Sequence, residues 1–349
     1  MDENLCRRCQ SKTPAFTVRN EPLCRDCFVR YVTTKVVKRM ETFRVRHSDP
    51  GKEPTLLLPL SFGACSVSLL QVLSQHLKGQ IGKSGRTGYK LHILHVVSLS
   101  IEPIDNGEQL YTQTQAMFPE HTYSTVQLSD VVTIDNITMF LPHDKSAEEE
   151  SNEAKLHSLF ASLTSATSKA DVHDILLRKL VVHFAQEHKC EAIIWGDSTT
   201  RLAERTIAQT AKGRGLSLPW VVSDGQSPHG LPFHFPLREL LRKELVIYTT
   251  VSEPPLALLV VSKTDQKTTT VSMKNTTIDD LMGQYFQSVE EEYPSIVANV
   301  VRTTSKLQGP SLSDVESQCE LCDMPLDGRA PERSRLCYGC IRTLPQQDR

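Results

Sequence analysis

The 349-residue sequence has no hydrophobic run long enough to cross a bilayer. Its longest aliphatic run, Leu256 to Val261, has six residues, whereas a membrane-spanning helix needs about 20. The first ten residues are polar and charged, without the apolar region of a secretory signal. These absences predict a cytoplasmic or nuclear protein with no membrane partner. In such a reducing compartment, paired cysteines bind metal more often than they form disulfides.

The chain also lacks a strong net charge. Its formal net charge is -2 at pH 7, so the whole chain is not a polycation. The charges are unevenly distributed, however, because residues 1–50 contain eleven Lys and Arg against six Asp and Glu. A local basic region of this kind can bind an anionic partner even when the total charge is near zero.

Eight of the ten cysteines form four Cys-x2-Cys pairs. The pairs fall into two equal frames, in each of which fourteen residues separate the first pair from the second. The N-terminal frame contains Cys6, Cys9, Cys24 and Cys27, and the C-terminal frame contains Cys319, Cys322, Cys337 and Cys340. Two such pairs can present four thiolates to one tetrahedral ion, so the spacing predicts two structural zinc ions.

A closed site of four thiolates has no open coordination position, and neither zinc is therefore expected to be catalytic. Each segment of about 30 residues is too small to fold on an apolar core, so the metal would supply its folding free energy. An iron–sulfur centre, redox-active dithiols and disulfides are the alternatives for these cysteines.

Between the two frames, apolar segments alternate with amphipathic ones. The predicted strands are Thr55–Leu60, Tyr89–Val97, Ser124–Leu128 and Glu191–Trp195. The predicted helices are Ala64–Leu77, Glu108–Met117, Glu153–Ser162, Lys169–Glu187 and Thr199–Lys212. Strands that alternate with helices predict an α/β fold with a parallel sheet covered on both faces. Ligands usually bind such sheets at the carboxyl ends of the strands.

These segments divide the chain into five regions. They are an N-terminal four-cysteine module (1–30), a basic helix (31–50), an α/β core (51–252), an insertion with a helical extension of the core (253–310) and a C-terminal four-cysteine module (311–349). Within them, Asp144–Glu153 is predicted to be an acidic connection and Thr264–Thr277 an exposed insertion. Ile278–Thr304 is predicted to be helical up to Pro294 and again after it.

One phosphate-binding motif is rejected. Gly82-Lys83-Ser84 resembles the end of a P-loop, but that motif needs a further glycine five residues earlier, and position 77 is Leu. The segment also lies between a helix and a strand, not between a strand and a helix. It is predicted to be a flexible basic loop.

The turn after the first predicted core strand is better placed for binding phosphate. It resembles the pyrophosphate-binding loop of the ATP pyrophosphatase (PP-loop) family, Ser-Gly-Gly-x-Asp-Ser, in which glycines and helix N-terminal amides approach the phosphates. Ser61, Gly63 and Ser66 match this loop. Phe62 replaces a glycine, and Cys65 replaces the aspartate. These changes argue against ATP turnover and leave ATP binding in doubt.

A second resemblance identifies the family. The segment Gly196–Glu204 is similar to the element Gly-His-Asn-x-x-Asp-x-x-Glu, with the His and Asn altered. It continues into Thr210–Gly215, and Pro236–Glu239 then leads into Lys243–Tyr248. With the N-terminal four-cysteine module, these segments closely resemble the cytoplasmic tRNA 2-thiolation protein 2 family. The candidate remnant of a nucleotide site comprises Ser61, Gly63, Cys65, Ser66, Gly196 and Asp197.

The resemblance implies a PP-loop-type, adenine nucleotide hydrolase-like core and a role in tRNA modification. Members of the family partner a homologous catalytic thiolase that replaces the 2-oxygen of the wobble uridine with sulfur. ATP activates the uridine, and a ubiquitin-like carrier with a thiocarboxylate supplies the sulfur. The active partner uses additional core cysteines, whereas this core has only Cys65 and Cys190. The resemblance therefore implies a non-catalytic subunit that positions tRNA and stabilises the thiolase.

The basic segment points to RNA independently. Its cations are Arg25, Arg30, Lys35, Lys38, Arg39, Arg44 and Arg46. Apolar residues recur there at helical spacing, at Phe28, Val32, Val36, Met40 and Phe43. A helix that packs by one face and carries cations on another can bind phosphates without reading sequence. Spacing alone leaves a merely solvated helix face as an equal alternative.

The two cysteines outside the frames have different predicted roles. Cys190 precedes an apolar strand and is predicted to pack there. Cys65 could be a sulfur-carrying nucleophile, because a helix N-terminus lowers the pKa of a thiol. We favour a small packing residue, since neither Ser61 nor Ser66 supplies the base or second thiol that a sulfur relay needs.

Three functional hypotheses remain at this point. The first is a non-catalytic subunit of a tRNA thiolase. The second is an active ATP-dependent tRNA-adenylating sulfurtransferase, which the altered loop argues against. The third is a zinc-dependent interaction scaffold without RNA contact, which the basic helix argues against.

Overall fold

The computed structural model describes residues 5–98, 107–134, 137–141, 150–261, 276–326, 330–331 and 334–344. The predicted insertion Thr264–Thr277 lies outside the described residues except for its last two positions. Most of the predicted acidic connection Asp144–Glu153 also lies outside them. In the part of the chain that is described, no helix is both long and apolar enough for a membrane span.

Two sheets are present among the described residues. A two-stranded antiparallel sheet in the N-terminal module contains β1 (Phe16–Val18) and β2 (Glu21–Leu23). The central six-stranded sheet contains β3 (Thr55–Pro59), β4 (Lys90–Val97), β5 (Thr122–Gln127), β6 (Ala192–Ile194), β7 (Gly225–Gln226) and β8 (Pro232–His234). Its order is β5-β4-β3-β6-β8-β7, and only β7 runs antiparallel to its neighbour. The predicted parallel α/β sheet is therefore confirmed.

Helices connect these strands and cover both faces of the sheet. They are α1 (Arg25–Arg39), α2 (Ala64–Ser84), α3 (Gly107–Met117), α4 (Asn152–Ser162), α5 (Ala166–Glu187), α6 (Thr199–Ala211), α7 (Leu218–Val221), α8 (Arg242–Val251), α9 (Ile278–Glu292), α10 (Pro294–Thr304) and α11 (Tyr338–Thr343). The helix break predicted at Pro294 is confirmed, because α10 begins at this proline.

The predicted basic loop Gly82-Lys83-Ser84 is wrong. These residues form the last turn of α2, which ends at Gly85 with φ 71° and with the Gly85 N–H bonded to the Ile81 carbonyl. A glycine just past the end of a helix adopts this left-handed conformation without a steric cost. The first half of α2 is buried almost all round, whereas the part beyond the predicted end is mostly exposed and stops at this glycine.

Alternating side chains of the central strands build two apolar layers. Leu56 and Leu58 of β3 point into the layer that α1, α2 and α8 cover. Leu57 of β3 and Ile193 of β6 point into the opposite layer, which α5, α6, α9 and α10 cover. Every one of these strand side chains is fully buried, as expected for a sheet with helices on both faces.

The order of the strands indicates where the sheet can form a ligand-binding crevice. β3 and β6 are neighbours at the centre, and from them the chain proceeds to opposite sides of the sheet. In open α/β sheets, such a reversal creates a crevice at the carboxyl ends of the two strands. The loop after β3 contains Ser61–Ser66, and the loop after β6 contains Gly196–Ser198. The two segments singled out in the sequence therefore meet at this crevice.

Candidate metal centres and the crevice at the sheet edge

The N-terminal module holds its four cysteines on a turn and a helix. Cys6 and Cys9 lie on a tight turn that closes with the Gln10 N–H donating to the Cys6 carbonyl at 2.9 Å, and Gln10 has φ 53°. Cys24 precedes α1, and Cys27 lies in its first turn. This arrangement points two pairs of sulfurs at one another.

The C-terminal module repeats the same construction. The Asp323 N–H donates to the Cys319 carbonyl at 2.8 Å, and Asp323 has φ 59°. Cys337 precedes α11, and Cys340 lies in its first turn. Equal cysteine spacing in the sequence therefore corresponds to equal local structure at the two ends of the chain.

The sulfur geometry fits a tetrahedral ion in both modules. In each frame, the four Sγ atoms lie within 4.8 Å of one another. The Sγ atoms of Cys9 and Cys24 are 3.8 Å apart, and so are those of Cys322 and Cys337. A zinc ion with Zn–S bonds of about 2.3 Å separates its sulfurs by about 3.8 Å, whereas a disulfide bond measures about 2.05 Å. All eight thiols are free, and both groups can hold a metal ion.

In the loop after β3, a bulky residue occupies a backbone position that suits glycine. Phe62 has φ 55°, a left-handed conformation that a glycine adopts freely. Its side chain is fully buried and packs against the His95 ring with centroids 4.7 Å apart. The Ser61 and Ser66 hydroxyls lie 3.2 Å apart, and Ser66 also donates to the Gly63 carbonyl at 3.1 Å. The hydroxyls that match the family's loop are thus bonded within the loop itself.

Gly196 brings the second loop against the first. A Cβ atom at this position would lie 3.0 Å from the Ser66 Cα, so any other residue would push the two loops apart by a few tenths of an ångström. The residues after Gly196 differ from the Gly-His-Asn-x-x-Asp-x-x-Glu element at three positions. Besides Asp197 and Ser198, Arg201 stands where that element has an aspartate, which reverses the charge at this position.

Two arginines beside the crevice, Arg201 and Arg205, are paired with the chain's own carboxylates. Arg205 forms an ion pair with Asp197 at 3.1 Å, and Arg201 forms one with Glu204 at 3.1 Å. Burial alone would raise the pKa of Asp174, but the charges of Arg205 and Arg201 lower it below its ordinary value. These arginines are therefore neutralised inside the protein, which weakens any attraction to the phosphates of a nucleotide.

Cys65 lies at the crevice, partly buried. Burial raises the pKa of its thiol to about 12, although the Arg242 charge and a hydrogen bond with Ser198 oppose this shift. A thiol with such a pKa is protonated at neutral pH and is a poor nucleophile. This shift is in line with the packing role predicted for Cys65.

Cys190 is remote from Cys65. It is buried and precedes β6, where the next residue, Glu191, donates its N–H to the Thr55 carbonyl at the start of β3. Cys65 follows the carboxyl end of β3. The two core cysteines therefore lie at opposite ends of the sheet and cannot share a cluster or form a thiol relay.

Glu290 of α9 is a site residue that the sequence pattern did not predict. It is 4% exposed, and its carboxylate accepts hydrogen bonds from the Lys243 N–H at 2.7 Å and from the Thr200 hydroxyl. These donors lie at the N-termini of α8 and α6, where a negative charge is stabilised. Ninety residues separate Thr200 from Glu290, so no local motif could have shown the contact.

Most of the predicted RNA-binding cations form ion pairs within the protein. Arg25 pairs with Glu253 at 2.9 Å and Lys35 with Glu239 at 3.6 Å, while Arg39 pairs with Asp224. Arg44 and Arg46 both pair with Glu41. Four members of the predicted apolar stripe, Phe28, Val32, Val36 and Met40, are fully buried, and the fifth, Phe43, lies beyond the end of α1 and is half-buried.

Arg30 and Lys38 differ from the other five cations. Both are exposed on α1, and neither forms an ion pair with a carboxylate of the described residues. Their charges remain available to solvent. Lys35 and Arg39, in contrast, hold α1 against the core through their ion pairs with Glu239 and Asp224. The structure thus separates two cations that are free for a partner from cations that dock the helix.

Comparison with known proteins identifies the family. Residues 277–335 match the family model described as cytoplasmic tRNA 2-thiolation protein 2. The protein of that name from Phaeosphaeria nodorum is 45% identical over 370 residues, covering 98% of this chain and 95% of the relative. That from Pyrenophora tritici-repentis is 44% identical over 365 residues, covering 98% and 94%. The chain belongs to this family.

A solved structure supports the fold of this family member. The U34-tRNA thiolase NcsA from Methanococcus maripaludis, solved with its 4Fe–4S cluster, matches with a TM-score of 0.61 and 16% identity over 100% of both chains. The predicted PP-loop-type core, flanked by two four-cysteine groups at the chain ends, is therefore confirmed. At this level of identity the comparison establishes the fold alone.

Proposed function

We propose that this chain is a non-catalytic subunit of the cytoplasmic tRNA 2-thiolation complex. It supports 2-thiolation of the wobble uridine by positioning tRNA and by stabilising a homologous catalytic thiolase, which receives sulfur from a ubiquitin-like thiocarboxylate carrier. The observation that carries the proposal is the crevice between β3 and β6. There the loop that resembles a phosphate-binding loop has a buried phenylalanine, Phe62, in place of a glycine, and its two serine hydroxyls are bonded to one another.

The metals have a structural role in this proposal. The two closed groups of four thiols suit zinc, whose preferred ligands are thiolates in tetrahedral geometry. Each ion would fix its module against the core, and neither would contact a reacting group.

Reconstitution with the catalytic thiolase tests the proposal. With ATP and a sulfur donor, adding this chain is expected to raise wobble thiolation, measured as retardation of the tRNA in a mercury-containing gel. Cys65→Ser should support thiolation as well as the wild type, because the buried thiol is protonated. The chain alone should show no ATP–pyrophosphate exchange with tRNA.

Two results would contradict this assignment in different ways. Adenylation of tRNA by the lone chain, or loss of thiolation in an intact complex containing Cys65→Ser, would make the chain an enzyme. Thiolation that does not depend on the chain, together with no cross-linking of the chain to tRNA, would leave only a zinc-dependent scaffold.

Arg30 and Lys38 are expected to contact tRNA phosphates. The double substitution Arg30→Glu and Lys38→Glu should weaken tRNA binding by the complex several-fold and reduce the slope of log K against log salt by about two. The exposed Lys83 and Lys169, located on α2 and α5, provide a control with the same change in charge when both become Glu. Equal losses in both double variants would show a general charge effect and place the RNA surface elsewhere.

A further inference from the structure

The segment Thr210–Gly215, which carried part of the family resemblance, lies away from the crevice. It ends α6 and turns at Gly213, which has φ 81°. The turn is closed by the Arg214 N–H donating to the Gln209 carbonyl at 2.8 Å. Beyond it, the Arg214 side chain is only 4% exposed. A buried guanidinium needs partners for its charge and donors, and these partners show what the segment does.

Arg214 connects the core to the C-terminal metal group. Its Nη1 donates to Asp171 of α5 at 2.9 Å. Its Nη2 lies 3.5 Å from the Cys340 sulfur and 3.3 Å from the Thr343 hydroxyl. Thr343 in turn donates to Asp171 at 2.9 Å. One guanidinium thus joins a core carboxylate, a hydroxyl of α11 and a sulfur of the four-cysteine group.

The packing around Arg214 is close as well as polar. A Cβ atom added at Gly339, between Cys337 and Cys340, would lie 2.6 Å from the Arg214 Cγ. The glycine therefore lets the arginine stem lie directly against the first turn of α11. This fixes the position of the guanidinium relative to the Cys340 sulfur.

We propose that Arg214 is a positioning residue for the C-terminal metal centre. Its N–H group donates to the metal-bound Cys340 thiolate and so links metal retention to docking of the module on the core. Four thiolates around a divalent ion carry a net charge of about -2, and a buried cation hydrogen-bonded to one sulfur stabilises that charge. At the N-terminal group, no arginine side chain of the described residues donates to a sulfur.

Lys212 provides a matched control in the same turn. Its side chain is 5% exposed and pairs with Asp171 at 3.0 Å and with Asp279 at 2.9 Å. Lys212 therefore shares Arg214's burial and its carboxylate partner, but its ion pairs are with Asp171 and Asp279 and not with a sulfur. Loss of either cation leaves Asp171 less well neutralised, whereas only loss of Arg214 removes the bond to the metal centre.

The test uses the full chain loaded with Co²⁺, whose sulfur-to-metal absorption bands report on thiolate bonding. Metal release to a chelator is expected in two phases, which Cys24→Ser and Cys337→Ser assign to the N-terminal and C-terminal sites. Arg214→Gln should speed the C-terminal phase by about 10-fold or more and shift its bands, with the N-terminal phase unchanged. Lys212→Gln should lower the melting temperature without either effect.

A charge-conserving variant keeps the test decisive if Arg214→Gln does not fold. Arg214→Lys retains the cation near Asp171 but cannot reach both Asp171 and the sulfur with a planar fork, so its bands should shift in the same direction. Unchanged bands and release in the folded Arg214 variants would overturn the proposal. Shifted bands and faster C-terminal metal release in Lys212→Gln would also overturn it, because they would show that Arg214 acts only by stabilising the fold around Asp171.

Discussion

Replacement of Cys337 by serine is expected to remove one of two metal ions per chain and to unfold the C-terminal module. Cys337 is 5% exposed and packs in a cluster that contains the other three cysteines of its frame together with Trp220, Leu321, Met324 and Leu326. This cluster is small, and a structural zinc contributes folding free energy on the order of 10 kcal/mol. Elemental analysis should therefore show a loss of about one metal ion per chain, and thiolation by the reconstituted complex should fall.

Tryptophan fluorescence locates the unfolding. Trp220 is 7% exposed and should become solvated when the module leaves, which moves the emission maximum to longer wavelength. Cys24→Ser is the matched control, because it removes the other ion while leaving the environment of Trp220 intact. A full metal count in both variants would show that the two frames do not bind metal.

The second large effect is expected at Phe62. Phe62→Gly restores the glycine of the family's phosphate loop, yet we expect it to destabilise the protein by about 2–4 kcal/mol. Removal of a fully buried phenylalanine costs about 3–5 kcal/mol, and relief of the left-handed backbone strain returns only about 1 kcal/mol. Urea unfolding measures the difference. ATP binding should not appear, since Arg201 and Arg205 remain paired with the protein's own carboxylates.

Phe118→Ala serves as the control for this experiment. Phe118 is 2% exposed and belongs to the same apolar cluster, but it lies outside the loop. Phe118→Ala should reduce the stability by a similar amount while leaving the loop after β3 unchanged. A Phe62→Gly variant that binds ATP in isothermal titration calorimetry would contradict our interpretation that the loop after β3 no longer binds nucleotide. A variant that is as stable as the wild type would contradict the structural role of the Phe62 ring.

Local patterns predicted the parts of the fold that are long and strongly apolar. The strand β4 and the helix α5 agree with their predicted ranges to within a few residues, because burial repeats along each segment. The short strand β8 was missed, since three residues that include a proline and a histidine show no such repeat. It forms because Phe233 pairs with Ile193 of β6, a contact that only the assembled sheet provides.

In the candidate site, too, local features could be predicted from the sequence and long-range contacts could not. The cysteine frames were predictable because metal ligands on tight turns follow a fixed local spacing. The pairing of Lys35 with Glu239 was not, because 204 residues separate them. The link from Arg214 to Cys340, across 126 residues, is equally nonlocal. A cation in a sequence therefore does not reveal whether its charge faces a partner or is used inside the fold.

The two cysteine modules dock on opposite faces of the central sheet. The N-terminal one shares the apolar layer of α2 and α8, and the C-terminal one packs on Trp220 and on Ile175 of α5. Loss of a bound ion from one module would therefore expose apolar surface on one face only and leave the other face covered. When metal becomes scarce, the site with the weaker affinity empties first. A chain with only one ion would keep the apolar core of the sheet but would expose the apolar surface beneath the other module to chaperones, proteases and other copies of itself.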